Sequence, residues 1–484
     1  MTDYKYRWRD ILAIAILCVL HILSVQSFFL SLFLFLVEYA IIYFLMLSGK
    51  PEKSFLFYIV FLTVSMELDA FIYPDGQSSF TRYSLFNPSI IGYFTPLIIY
   101  AALYSKYGGC QLSSKDINRF VKWIKMLFVV GLISITLGMV LDDNGILSSG
   151  EYPLLIVPDL LGFLSLIAIF FSAIIILGKT KLGLLLTETC KNTIVGVSIA
   201  AIISMSLGLN GYYGNEEIML APMFAGLAPC MLLFINKKEK SNNVILITIF
   251  VILFLLSLNL PAVTGSKWYI ILAVCLLYVI YSFSPNTNPI WFLALGVLFI
   301  YLIPTISVLV ADVFSDNTYN SWKFEQVVKT FDFTSYGSFE QWFMSQDPSA
   351  QFRIDEPINI AIEYSKKPWF ALFGKGIAGT TQHHTILCDW SAAAAFSEVQ
   401  SKNGFFYNMH ESTAVIFLRH GILGIIFMIY MIIQMLRGIK HTPFAIIGLL
   451  WFVFYWSYGV SFRLGAVALI IALYSLNIPL KEKV

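Results

Sequence analysis

The chain has 484 residues, of which 58% are hydrophobic and only 12% are charged. So much apolar surface cannot be hidden in a soluble core, so the composition excludes an ordinary soluble domain and indicates a protein dissolved in lipid. The net charge of +2 says little, because in a membrane protein the distribution of charge matters and its sum does not, and we expect no nucleic-acid partner. The apolar runs are continuous and do not alternate, which excludes a strand-built barrel and leaves helices.

Fourteen stretches are long and apolar enough to cross a bilayer, at about 20 residues each. The first two form an almost unbroken run in which only Ser24 to Ser27 offers a turn. The predicted spans are 11–25, 28–47, 55–73, 89–105, 124–141, 154–177, 193–209, 218–235, 244–260, 268–283, 290–310, 413–436, 443–460 and 465–480. We therefore expect transmembrane helices 1–11 over residues 1–310, one large loop over 311–412, and helices 12–14 over 413–484.

The distribution of basic residues is an independent test of this count, because cytoplasmic loops are enriched in Lys and Arg. With the N-terminus inside, the outer short loops contain only Arg82, Lys267 and Arg463. The predicted inner loops contain basic residues within 5–9, 50–53, 106–125, 179–191, 237–240, 437–440 and 481–483. This pattern places both termini in the cytoplasm and the large loop on the other side.

The loop 311–412 mixes charged residues with many aromatic ones, among them Trp322, Trp342, Trp369 and Trp390. Long connections without structure are uncommon unless they are functional. We therefore predict a small, mostly helical lid over a site embedded in the membrane.

Three positions flank or lie within this loop and have side chains suited to chemistry: Lys267, Arg353 and His410. Taken singly, each has a plain alternative. A Lys or Arg at a membrane border commonly extends its charge to the lipid headgroups, and a histidine at the start of a span is commonly an interfacial residue with its hydrogen bonds satisfied.

The order of these segments resembles the O-antigen ligase and polymerase superfamily of bacterial surface-polysaccharide assembly. The family has a Ser-Arg-like pair opening a span, an Arg ahead of a Gly-x-Gly stretch in a large periplasmic loop, and a His-Asn-like pair before Gly-Ile-Leu-Gly. The counterparts here are Ser266-Lys267, Arg353 with Pro368, Gly374 and Gly376, His410-Glu411, and Gly421-Ile422-Leu423-Gly424. Lys267 and Glu411 depart from the family pattern, and Lys267 lacks the bidentate fork of an Arg.

The resemblance implies an all-α, polytopic membrane protein of GT-C-like architecture in the bacterial inner membrane, with its active site facing the periplasm. The implied donor is an undecaprenyl-pyrophosphate-linked oligosaccharide, and an acceptor hydroxyl displaces the pyrophosphate. Arg353 and Lys267 would stabilise the charge on the leaving group, with Arg463 and Arg82 as reserves. His410 would take the hydroxyl proton, and Glu411 is the rival base.

Two further features bear on the site. Arg419 lies inside a predicted span, and it either faces the same cavity or pairs with a carboxylate such as Glu38, Glu67 or Asp69. His383 and His384 are adjacent, but no third metal ligand is evident, so we expect a metal-independent enzyme without a cofactor.

We interpret the chain as an O-antigen or capsule repeat-unit polymerase, with membrane lipid and a chain-length regulator protein as expected partners. An O-antigen ligase, which transfers the glycan to lipid A core, is the first alternative. A polysaccharide flippase is the second, and the single large aromatic loop and the absence of internal repeats count against it.

Overall fold

The computed structural model describes most of the N-terminal half of the chain and most of the stretch from the large loop into the next helix. The described residues are 8–24, 28–64, 90–109, 115–141, 156–206 and, within 329–438, all except 330–331, 333–334, 386, 391–395, 397, 408 and 410–411. The spans predicted between 218 and 310 and beyond 443 lie outside them.

The described part of the N-terminal half consists of seven helices. They are α1 (Trp8–Ser24), α2 (Phe28–Leu47), α3 (Pro51–Val64), α4 (Ile90–Tyr107), α5 (Lys115–Leu141), α6 (Ile156–Leu177) and α7 (Thr180–Ser206). The helix break predicted at Ser24 to Ser27 is confirmed, because His21 Nε2 lies 2.8 Å from Glu38 Oε1, whereas one continuous helix would separate these residues by about 25 Å. Helices α5 and α7 begin well before the predicted spans, since polar and basic residues extend a helix beyond the apolar core.

Three of the described helices contain segments long and apolar enough to cross a membrane: Val121–Val140, Leu160–Leu177 and Thr413–Gln434. The outward faces agree with this, since large apolar side chains such as Phe29, Phe44 and Val140 are exposed. Apolar surface that is exposed all along a helix needs lipid as its solvent. The chain is therefore a helical, membrane-embedded protein.

The helices α1–α7 are held together by contacts between apolar side chains and by the close approach of neighbouring helices at glycine. Helix α1 packs against α7 and α4 against α6. A Cβ added at Gly196 of α7 would lie 2.8 Å from Ile14 of α1, so only glycine permits this approach. One buried polar pair, His21 Nε2 with Glu38 Oε1 at 2.8 Å, joins α1 to α2.

Three loop ends that were predicted to share the inner side lie together. Lys106, at the end of α4, donates to Glu52 Oε2 at 2.9 Å and to the Gly49 carbonyl at 2.7 Å. The Lys179 ammonium, in the turn between α6 and α7, lies 6.0 Å from the centroid of the Tyr107 ring. This grouping is what the predicted order of spans requires of these helices.

The large loop contains a folded unit, here called the lid, over residues 335–409. Its helices are α8 (Phe339–Met344), α9 (Pro348–Lys366), α10 (Pro368–Phe373) and α11 (Glu398–Asn403), and its strands are β1 (Thr381–Gln382) and β2 (Phe405–Phe406). The strands pair antiparallel, with Thr381 opposite Phe406. The predicted helices are present in the described part of the loop, and the strand pair was not predicted.

Local sequence explains where the lid helices begin. The Ser338 hydroxyl accepts from the Gln341 N–H to cap α8, and Asp347 Oδ1 accepts from the Ala350 N–H at 2.9 Å to cap α9. Pro348 and Pro368 occupy the first turns of α9 and α10, where the missing N–H costs nothing. The buried side chains of the lid pack around Trp390, which has no exposed surface.

Helix α12 (Ser412–Gly438) follows the lid and is broken at Gly421, where φ is 59° and ψ is −150°. Thr413 Oγ1 lies 3.9 Å from Met428 Sδ, whereas a straight helix would separate these residues by about 22 Å. The arms 412–420 and 422–438 therefore fold back on each other, and we call this element the hairpin. Its length and composition fit the predicted span 413–436, but the prediction of one straight span there is wrong, because the two arms fold back on each other at Gly421.

Candidate functional site

Helix α9 has a polar face, formed by Asp355, Asn359 and Glu363 at positions i, i+4 and i+8, that binds the chain between 375 and 390. All three residues are mostly or fully buried, so each needs hydrogen-bond partners. Asp355 accepts from the Thr385 hydroxyl at 2.7 Å and from Trp390 Nε1 at 2.8 Å. These bonds fix the segment that follows β1.

Asn359 continues the same face. Its Oδ1 accepts from the backbone N–H groups of His384 and Thr385, and its Nδ2 donates to the Asp355 carbonyl at 2.9 Å. The Asn359 amide therefore connects the backbone of α9 to the backbone of the loop at residues 384–385.

Glu363 completes the face with a buried ion pair to Lys375. The Glu363 carboxylate also accepts from the Thr381 hydroxyl at 2.6 Å and from the Gln382 N–H at 3.3 Å. Burial lowers the pKa of Lys375, and the negative charge of Glu363 opposes that shift. Burial likewise lowers the pKa of His384, whose Nε2 is 3.8 Å from Glu363.

Cys388 is next to the acidic end of this face. Its Sγ lies 3.4 Å from Asp355 Oδ2. Burial, followed by the charge of Asp355, raises the pKa of the thiol to about 12. A thiol held protonated in this way is a weak nucleophile, so Cys388 is a poor candidate for covalent catalysis.

The lid contacts the hairpin through the backbone of residues 374–376. The Lys375 N–H donates to the Leu418 carbonyl at 2.8 Å, and the Gly376 N–H donates to the Arg419 carbonyl at 3.0 Å. The Tyr364 hydroxyl donates to the Leu418 carbonyl at 2.7 Å. In an unbroken helix these carbonyls would accept from residues 422 and 423, so the break at Gly421 frees them for the lid.

Glycine is required on both sides of this contact. A Cβ at Gly374, which has φ +74°, would lie 2.3 Å from the Arg419 backbone, and one at Gly421 would lie 2.6 Å from the Gly374 nitrogen. A Cβ at Gly376 would lie 2.3 Å from the carbonyl oxygen of Gly131 in α5. The Gly-Lys-Gly loop is therefore wedged between the hairpin tip and α5.

The tip of the hairpin also contacts the two membrane helices α5 and α6. His420 is only 5% exposed and its ring centroid lies 6.2 Å from that of Phe163 in α6. A Cβ at Gly131 would lie 3.9 Å from His420 Nδ1. Trp123 of α5 lies against Phe427 and Tyr430, so the second arm runs antiparallel to α5.

Two of the seven predicted site residues belong to the described structure. Arg353 is in α9, on the helix face that also carries Ile360 and Tyr364, and Tyr364 contacts the hairpin directly. Arg419 is at the hairpin tip, and its carbonyl binds Gly376. His410, Glu411, Lys267, Arg463 and Arg82 lie outside the described residues.

Of the three carboxylates suggested as partners of Arg419, only Glu38 lies among the described residues. Glu38 binds His21 instead, and Glu67 and Asp69 lie outside the described residues. Among the residues that the structure describes, no group of three or more His, Cys, Asp or Glu side chains is arranged to hold a metal ion.

Sequence reasoning did not single out His420, Tyr364 or the Glu363–Lys375 pair. The spacing of Asp355, Asn359 and Glu363 was a readable signal for a polar helix face, but nothing local indicated its partners. Comparison of the chain with protein-family models, with curated proteins and with solved structures gave no match.

Proposed function

We propose that this chain is a membrane glycosyltransferase that moves a glycan from undecaprenyl pyrophosphate to a hydroxyl of another lipid-linked repeat unit, as a surface-polysaccharide polymerase. In this proposal the chain has fourteen membrane segments in a bacterial inner membrane, of which the segment at 412–438 is the hairpin and not a straight span, and the lid lies on the periplasmic side. The enzyme needs no metal, and a chain-length regulator is its expected protein partner.

The observation that supports the proposal best is the contact between two sequence segments that resemble the superfamily. The Gly374-Lys375-Gly376 loop lies directly on the hairpin tip that begins Gly421-Ile422-Leu423-Gly424. Adjacent residues of α9 hold both, since Glu363 binds Lys375 and Tyr364 binds Leu418. Arg353 lies on the same helix, so α9 connects the three motifs.

The proposed chemistry is a displacement at the anomeric carbon. The acceptor oxygen forms a bond to this carbon while the bond to the pyrophosphate oxygen breaks, and the electron pair leaves with the pyrophosphate. Arg353 and Lys267 stabilise the charge that develops there, with Arg463 and Arg82 as reserves and Arg419 as a further candidate cation. His410 accepts the hydroxyl proton, and Glu411 is the alternative base.

The glycan of a deletion strain tests the activity. Single repeat units on lipid A core mean that polymerase was lost, whereas long chains that stay on undecaprenyl pyrophosphate mean that ligase was lost. Lipid-linked units that remain on the cytoplasmic face mean that a flippase was lost. Either of the last two results would overturn the polymerase proposal.

A reconstituted system tests the base. Purified protein is supplied with lipid-linked repeat units, without metal or nucleotide sugar, and chain length is followed. His410→Ala should lower the rate about a hundred to ten thousand fold, and Glu411→Gln should lose much less. The reverse pattern would make Glu411 the base, and inhibition by a chelator would refute the metal-independent mechanism.

The same system tests the cations. Arg353→Lys should lose most of the polymerase activity, because lysine lacks the planar guanidinium that binds a phosphate through two hydrogen bonds. Lys267→Arg should keep its activity, because arginine provides that guanidinium. Both variants must reach the membrane at normal levels. Wild-type chain length in Arg353→Ala would contradict the role of Arg353.

A further inference from the structure

We infer that the tip of the hairpin is a binding site for a lipid-linked phosphate, formed by His420 and the first turn of the second arm, residues 422–424. The inference rests on the proposed function for the identity of the ligand, which would be the pyrophosphate of the polyprenyl carrier. It adds a binding residue, His420, that the sequence resemblance does not include.

The start of the second arm supplies backbone hydrogen-bond donors. The second arm begins after Gly421, so its first N–H groups have no preceding helical turn to donate to. The carbonyls that would have accepted from residues 422 and 423 are those of Leu418 and Arg419, and these accept from the lid. The start of a helix as long as 422–438 has a partial positive charge, which favours an anion.

His420 has a buried ring nitrogen next to this helix start. The side chain is 5% exposed, and its Nδ1 is buried without a hydrogen-bond partner among the described residues. A buried polar atom with no partner is costly, and native structures rarely retain one without a ligand or a role. A neutral imidazole with its proton on Nδ1 donates one hydrogen bond, which suits an anion in a membrane.

His420 lies beside the first turn of the second arm. The His420 Cβ lies 2.6 Å from where a Cβ on Gly424 would be, so the imidazole leaves from the side of the first turn. Gly131 of α5 borders the imidazole, and a Cβ there would lie 3.9 Å from Nδ1. Ile416 and Ile377 lie beside the positions that side chains at Gly424 and Gly131 would fill, and Arg419 adds positive charge one residue away from His420.

The combination matches a recurring device of membrane proteins, in which a broken helix directs its exposed N-terminal amides towards an anionic group of the substrate. Irregular backbone in a membrane segment is stable only where protein or a polar cavity satisfies it. Here the lid satisfies the carbonyls of the first arm, and a phosphate would satisfy the N–H groups of the second.

The test measures binding rather than turnover. Full-length protein in dodecyl maltoside, a detergent without phosphate, is titrated with undecaprenyl pyrophosphate or with undecaprenol, and bound lipid is counted by native mass spectrometry. The wild type should prefer the pyrophosphate at least about 10-fold, since charge-assisted hydrogen bonds are the strong ones. His420→Ala should lose about 10-fold of that preference and leave undecaprenol binding unchanged.

Two further variants separate the site from general damage. His383→Ala removes a histidine from the lid, away from the tip, and should keep the full preference. Ile422→Pro removes one N–H at the first position of the second arm, where proline fits a helix, and should weaken pyrophosphate binding several-fold. If His420→Ala fails to fold, Ile422→Pro still tests the site.

The outcomes are distinct. Displacement of the carrier by equimolar phosphatidylglycerol would support the phosphate site but assign it to phospholipid headgroups. An unchanged preference in folded His420→Ala and Ile422→Pro proteins would overturn the inference and leave the proposed function standing. Failure of the proposed function would appear instead as unchanged surface glycan in the deletion strain.

Discussion

In the lid, Asp355, Asn359 and Glu363 each bind two or more partners, and together they fix the chain between 375 and 390. In helices α1–α7, the buried pair His21–Glu38 leaves His21 Nδ1 and Glu38 Oε2 without hydrogen-bond partners among the described residues. Side-chain hydrogen bonds are thus concentrated in the lid, whereas α1–α7 are joined by fewer such bonds and mainly by apolar packing. Substitutions that remove one polar atom should therefore cost more in the lid.

The largest effect is expected where the lid meets the hairpin. Gly374→Ala places a Cβ 2.3 Å from the Arg419 backbone and at a positive φ, so we expect a loss of roughly 4 kcal/mol or more and no polymer. Thermal unfolding in detergent measures it. Gly404→Ala is the matched control, because φ is +70° but nothing lies within 4 Å, and it should cost about 1–2 kcal/mol. Equal losses would mean that only backbone strain, and not the close contact, matters.

The second effect concerns the buried ion pair. Glu363→Gln leaves Lys375 buried without its carboxylate, and we expect a loss of about 3 kcal/mol at pH 7. Without Glu363 the folded-state pKa of Lys375 falls further below the unfolded value of about 10.4. Between the two values the unfolded chain binds more protons, so the stability of the variant rises with pH and its deficit shrinks towards pH 10.

The difference in unfolding midpoint between Glu363→Gln and the wild type, measured at pH 7, 8.5 and 10, follows this loss of stability. Glu340→Gln, on the exposed surface of α8, should show little loss at any of these values. A deficit for Glu363→Gln that does not change with pH would mean that Glu363 acts through Thr381 and Gln382 rather than through the charge of Lys375.

A smaller effect is expected at the centre of the lid core. Trp390→Phe keeps an aromatic ring but removes the N–H that donates to Asp355 at 2.8 Å, and we expect a loss of about 2 kcal/mol. Trp369→Phe, at a position that is 48% exposed, should be nearly neutral. Similar midpoints for the two variants would show that Asp355 does not depend on Trp390.

The smallest effect is expected in the membrane helices. Glu38→Gln retains a polar group opposite His21, and hydrogen bonds between membrane helices contribute about 1 kcal/mol. Glu52→Gln, at the more exposed pair with Lys106, should cost about 0.5 kcal/mol. A loss above about 3 kcal/mol for Glu38→Gln would refute the contrast between the two regions.

Much of the membrane part was readable from the sequence. Hydropathy predicted where α1, α2, α4 and α6 lie to within a few residues, and it separated α1 from α2 at Ser24 to Ser27. It could not predict how far α5 and α7 extend into polar sequence, because a helix outside the lipid core needs no apolar residues. The aromatic content of the lid predicted that it folds, but not its strand pair, whose partners are distant in sequence.

For the candidate site, the sequence predicted which residue types are present and the structure decided which of them meet. Arg353 and Arg419 were selected from the sequence, while His420 was passed over because a histidine within an apolar run has no local signature. Its unpartnered nitrogen is visible only once α5, α6 and the hairpin are assembled around it.

By itself the sequence determined that this protein is helical and embedded in a membrane, because lipid cannot satisfy backbone hydrogen bonds and so forces every long apolar run into a helix. Only the tertiary structure decided that the run from 412 to 438 folds back at Gly421. Hydropathy depends only on composition and cannot show where a helix breaks. The break is stabilised by hydrogen bonds from Tyr364, Lys375 and Gly376 to the Leu418 and Arg419 carbonyls, which in a straight helix would accept from residues 422 and 423.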